Sequence, residues 1–204
     1  VNELIVFILI TAWSLWLLSR PIDGANKNSD LVQGHLKRLW QDAYQNLTQN
    51  NVARAERSLL ALLKLDEKNV GAYNRLGIIY ARQGLKKEAI ECFEISNSLN
   101  PSASSLHNLA LVYFGDGQYQ KAAHTFEHAI EKDPENVTRY IALAKTLEKM
   151  GDPKSALKEL ERAHKVDPGS AASALLAKAY EDAGAQELCE QVKKEADQLK
   201  AIKA

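Results

Sequence analysis

Cysteine is scarce: the chain has only Cys92 and Cys189 among 204 residues. Two thiols cannot build a disulfide framework or a four-cysteine zinc site. Five prolines and ten glycines exclude a collagen-like or low-complexity chain. Charge of one sign is not in surplus, because 26 Lys and Arg balance 26 Asp and Glu. A general nucleic-acid binder carries a basic excess, so that class is set aside. The G-x-x-x-x-G-K-S/T phosphate loop, a strand-borne G-x-G-x-x-G and the G-x-S-x-G elbow are all missing. The rest, 46% apolar and 25% charged, is ordinary globular usage. The length allows one or two domains.

Only one long apolar run is present. Leu4 to Leu18 (LIVFILITAWSLWLL) carries no charge and is bounded by Glu3 and Arg20. With its flanking residues it approaches the ~17 residues that a spanning helix needs. Trp13 and Trp16 lie toward one end, as in an interfacial aromatic belt. A cleaved signal peptide fits less well, because no basic segment precedes the run and no small-x-small site follows. The expectation is a single-pass transmembrane anchor over residues 1–20. Arg20, Lys27, Lys37 and Arg38 after the span put the bulk of the chain on the cytoplasmic side. Residues 21–35, polar with Pro21, Gly24 and Asn26, read as a linker.

From Leu36 the chain repeats itself. Pro101, Pro134 and Pro168 close successive units at spacings of 33 and 34 residues. Apolar residues recur at helical spacing within each unit, as in Tyr73, Leu76, Gly77 and Tyr80. A small residue holds one position of the first helix: Ala43, Gly77, Ala110, Ala144 and Ala177. Another holds one position of the second: Ala55, Ala89, Ala122, Ala156 and Cys189. Four residues further come Leu59, Phe93, Phe126, Leu160 and Lys193. Small side chains let two helices approach and large ones fill the next layer. Gly84, Gly117, Gly151 and Gly184 follow each first helix, where a left-handed backbone ends a helix. Asp152 before Pro153 reads as an N-cap and a first helical turn.

These residues resemble the tetratricopeptide repeat (TPR) family, whose unit is a large residue, Leu, a small residue and Tyr, then small, Phe, small and Pro. The resemblance covers 36–204 and weakens at both ends, with Asn46 in place of Tyr and Lys193 in place of an aromatic. It implies an all-α fold, a right-handed α-solenoid of about five helical hairpins over 36–69, 70–102, 103–136, 137–169 and 170–204. The transmembrane helix would precede it. One hairpin cannot bury its apolar face alone, whereas stacked hairpins share a core. Cys92 and Cys189, three units apart, are then two reduced, largely buried thiols.

His124-Thr125-Phe126-Glu127-His128 matches H-x-x-E-H, an inverted zinc-protease signature. The repeat already explains Phe126, and no third ligand is evident, so no catalytic residue, metal site or cofactor is expected. Metal binding by His124 and His128 at i,i+4 is a secondary reading, beside that of two solvated side chains.

The TPR resemblance also implies that the first helices line a concave groove. Its candidate binding residues are Trp40, Tyr44, Asn74, Arg75, Ile78, Arg82, His107, Asn108, Leu111, Phe114, Lys145, Lys149 and Lys178. The two-carboxylate clamp by which some TPR proteins hold chaperone tails matches in no register. Aromatic and Arg side chains are frequent anchors, and basic groups favour an acidic partner. The expected function is a membrane-anchored scaffold that binds an apolar and acidic protein segment and supports a membrane-associated complex. No nucleic acid is involved, and the short span leaves self-association open. The alternatives are an extracytoplasmic chaperone for secreted or envelope proteins and, more remotely, a zinc-dependent hydrolase.

Overall fold

The structure, a computed structural model, describes residues 23–203. Among them are ten helices, paired as five antiparallel hairpins, and no strand. They fall into two compact units that divide after Leu65.

The first unit holds α1 (Asp23–Thr48) and α2 (Val52–Leu65), which pack on one another. Ala43, Ala55 and Leu59 are fully buried at the repeat positions read for them, and Leu62 is buried beside them. Glycine is absent from the connecting turn. Asn50 takes the left-handed backbone instead, at φ 57°, a conformation that Asn tolerates better than most residues.

The second unit runs from Asp66 onward and contains four hairpins. These are α3 (Val70–Gln83) with α4 (Lys86–Leu99), and α5 (Ala103–Gly115) with α6 (Tyr119–Lys132). Then come α7 (Val137–Lys149) with α8 (Pro153–Val166), and α9 (Ala171–Asp182) with α10 (Gln186–Lys203). The second helix of each hairpin packs on the first helix of the next, so the four stack in chain order. Side chains of Asn69, Ser102, Asn136, Asp152 and Ser170 accept hydrogen bonds from backbone N–H groups of the helices they precede. Each such cap satisfies a donor with no partner inside the helix. Gly84, Gly117, Gly151 and Gly184 take φ between 74° and 80°, the left-handed ends expected of them.

The core follows the repeat. Phe93, Phe126, Leu143 and Ala122 lie within one buried cluster, and Leu160, Leu176 and Cys189 lie within another. Gly77 is small for a reason: a Cβ there would lie 2.8 Å from the Phe93 ring. Two tyrosines tie neighbouring hairpins. Tyr113 Oη donates to Glu94 Oε1 at 2.5 Å, and Tyr180 Oη donates to Glu161 Oε1 at 2.8 Å. Burial and then the Glu161 carboxylate push the Tyr180 hydroxyl up to about 12.

Several expectations need correction. The expected anchor over 1–20 lies outside the described residues. Among those described, no helix is long and apolar enough to cross a membrane. The most apolar, α5, has only 13 residues, short of the ~17 required. The described helices therefore give no support to single-pass topology, membrane localisation or the membrane as a partner, and what they form is a set of helical hairpins. From Asp23 the expected linker is helical, forming the start of α1. A nucleated helix gains one hydrogen bond per residue added, so polar sequence alone does not stop it. Cys189 is buried, but Cys92 is only half-buried; both are free.

Candidate functional site

The first helices of the second unit expose one side of their apolar stripe. Three depressions lie along them. One, of about 320 Å³, opens between α3 and α5, with Ile78, Arg82, Asn108 and Leu111 around Phe93 of α4. The next, about 260 Å³, lies between α5 and α7, where His107, Leu111, Phe114, Ile141 and Lys145 surround Phe126 of α6. The third, about 650 Å³, lies between α7 and α9, with Lys145, Glu148, Lys178 and Asp182 around Leu157, Leu160 and Leu175. Leu111 borders the first two and Lys145 the last two, so the depressions form a continuous row.

Seven of the expected groove residues meet along this row: Ile78, Arg82, His107, Asn108, Leu111, Phe114 and Lys145, with Lys178 as an eighth at its far end. Leu111 is the exposed apolar residue among them, at 45%. Asn74, Arg75 and Lys149 border none of the three. Trp40, half-buried, and Tyr44, exposed, belong to the first unit. The floors come from second helices, through Phe93, Phe126 and Leu160, which sequence reasoning assigned only to packing. The signal was present: each is the large residue of its repeat and packs beneath the gap between successive first helices.

The electrostatics of the row are uneven. Arg82 and Lys86 edge the first depression, and Lys86 Nζ donates to the Gly115 carbonyl at 2.5 Å and pairs with Asp116 at 3.5 Å. The third depression mixes Lys145, Lys154 and Lys178 with Glu148 and Asp182. Between them, His107 is held below the usual imidazole range, first by burial and then by the Arg139 guanidinium. Its Nδ1 is buried without a hydrogen-bond partner, and its ring lies 5.4 Å from that of Phe126. Arg139 itself is buried, donating from Nη1 to the Asp133 carboxylate at 2.6 Å. This surface presents apolar sockets and basic rims, which suits recognition by contact.

The H-x-x-E-H segment does not build an active site. His124 and His128 side chains are 72% and 50% exposed on α6, while Phe126 between them is fully buried. Neither histidine borders the depressions, and no group of three or more His, Cys, Asp or Glu able to hold a metal occurs among the described residues. The zinc-hydrolase reading fails for want of a third protein ligand and a cleft. Burial, then Glu91 and Glu88, push the Cys92 thiol up to about 11, which keeps it protonated near neutral pH.

Known proteins place this geometry. Tetratricopeptide repeat models match residues 45–102 and 113–179. Cilia- and flagella-associated protein 70 of Homo sapiens is 29% identical over 100 residues, which is 47% of this chain but only 9% of that protein. A crystal structure of MamA superposes with a TM-score of 0.70 at 25% identity, covering 79% of this chain and 95% of MamA. YrrB, described as a TPR protein with an unusual peptide-binding site, superposes at 0.63 with 22% identity, covering 76% of this chain and 80% of YrrB. With the two matched spans covering more than half of its length and the hairpins stacked as described, the chain belongs to the tetratricopeptide repeat family.

Proposed function

We propose that this chain is a TPR scaffold that binds an extended or helical segment of a partner protein along the row of depressions on its first helices. The observation that carries the reading is the continuity of three apolar-floored sockets through Leu111 and Lys145. Sockets one hairpin apart suit apolar side chains spaced along one segment. The Arg82, Lys145 and Lys178 rims favour acidic residues between those anchors, by steering and by charge-assisted hydrogen bonds. A peptide-binding TPR protein, YrrB, among the similar structures supports the general mode. Binding at such exposed rims weakens as salt rises, because screening shortens the range of the attraction.

The test is a displayed-peptide selection on the intact chain, followed by affinity measurement on wild type and Leu111→Glu. Leu111 is exposed, so the substitution leaves the core in place. The expected result is enrichment of peptides with apolar and acidic residues. The substitution should weaken them by about thirtyfold, the size of a ~2 kcal/mol hot spot. Equal affinity for both proteins would remove the row of sockets from the function.

A further inference from the structure

The H-x-x-E-H segment remains after the scaffold reading has taken what it needs. Its two histidines sit one turn apart on the exposed face of α6, the second helix of its hairpin. Their Nε2 atoms are 3.2 Å apart and their ring centroids 4.5 Å apart. His128 Nδ1 lies 3.1 Å from Glu131 Oε2, and His124 Nδ1 lies 3.9 Å from Glu127 Oε2. Each ring therefore turns one nitrogen toward a carboxylate and the other toward its neighbour.

Hydrogens decide what can sit between the rings. A ring nitrogen that faces a carboxylate is favoured to carry its hydrogen. If both Nδ1 atoms do so, both Nε2 atoms carry lone pairs 3.2 Å apart. Two lone pairs this close repel unless a cation or a shared proton lies between them. A tetrahedral zinc ion with bonds of about 2.0–2.1 Å sets its two nitrogen ligands about 3.3–3.4 Å apart, and wider or narrower ligand angles span the observed separation. Carboxylates behind metal-bound imidazoles orient the rings and raise their basicity.

We propose that His124 and His128 form a two-histidine site for a late first-row divalent cation of the zinc, nickel or copper class, with Glu131 and Glu127 as outer-shell partners. Imidazole nitrogen suits these ions and does not suit magnesium or calcium. The remaining coordination positions face solvent. The site is therefore open to water or to a donor from a second molecule, and it supplies no closed structural centre and no cleft for hydrolysis. It is separate from the peptide-binding row, since neither histidine borders the three depressions.

The experiment is calorimetric titration of the intact, tag-free chain with zinc chloride near neutral pH, beside His124→Ala and His128→Ala. Circular dichroism is the folding control, and both side chains are exposed, so helicity should not change. The expected result is one zinc per chain for wild type, lost in each single variant, with affinity falling on acidification as protons compete for the ring nitrogens. Glu131→Ala should weaken binding by about tenfold, the low end for an outer-shell partner. No binding by wild type, or full zinc binding retained by either histidine variant, would overturn the assignment. Loss of peptide binding in Leu111→Glu leaves this result untouched, so the two readings fail separately.

Discussion

At the residue scale, the tightest constraint is a missing side chain. Gly77 sits within van der Waals reach of the Phe93 ring, and a Cβ would approach three ring atoms at 2.8 to 2.9 Å. Phe93 is 1% exposed and packed within a buried cluster. Gly77→Ala should therefore destabilise by about 1–3 kcal/mol, the usual cost of overpacking a filled core. Ala gains ~1 kcal/mol over Gly within a helix, which leaves a net loss of up to about 2 kcal/mol. Urea unfolding measures the balance, and a stabilised variant would show that the ring can move. The requirement for a small residue at position 77 was legible from the alignment of repeats, beside Ala110 and Ala144. Why glycine rather than alanine occupies it was not, because that depends on where the Phe93 ring settles. Cys92 makes the same point: it lies next to a core position in sequence, yet it is half-buried.

At the element scale, α5 and α7 meet around His107, Phe126 and Arg139. His107 is half-buried, and its pKa is held below the ordinary 6.5 by burial and by Arg139. The unfolded chain then binds a proton that the folded chain resists. Stability from this position is present above the unfolded value and is lost as pH falls through the folded one. Between about pH 7.5 and pH 5.5, wild type should lose more of its urea midpoint than His107→Gln, whose side chain stays neutral. Equal losses would remove His107 from the acid response. Helix existence and pairing were readable here from period and from the Asp152 cap before Pro153. The cross-hairpin contacts were not readable. Tyr113 with Glu94 and Tyr180 with Glu161 share a 19-residue separation, but only stacking shows that the spacing places them together. α1 carries the opposite lesson. Its first dozen residues lack a packing signal, yet they are continuous with the helix that follows.

At the scale of the whole molecule, the division after Leu65 makes a prediction about independence. The two buried clusters that contain Phe93, Phe126, Leu160 and Leu176 lie entirely beyond that point. Stacked repeats draw stability from nearest neighbours, and about three suffice. A fragment from Asp66 to the end has four hairpins. It should fold alone, with helical circular dichroism and a cooperative urea transition. A non-cooperative transition would mean that residues before Asp66 complete its core. The row of sockets lies within the same four hairpins, so this fragment should also retain the peptide binding proposed for the intact chain.

The sequence by itself determined the repeat, its small and large positions, the glycine-ended first helices and the all-α class. All of these rest on local periodicity and on side-chain size, which recur every 33 or 34 residues. It also supplied eight of the residues along the candidate groove, because a helix facing away from its partner shows the complement of its packing stripe. Tertiary structure decided which of those residues meet. Leu111 and Lys145 bridge neighbouring sockets, while Asn74, Arg75 and Lys149 stand apart from them. It also decided that His124 and His128 turn their Nε2 atoms toward one another. Such features depend on distances between residues far apart in the chain or on ring orientation, and a one-dimensional pattern carries neither.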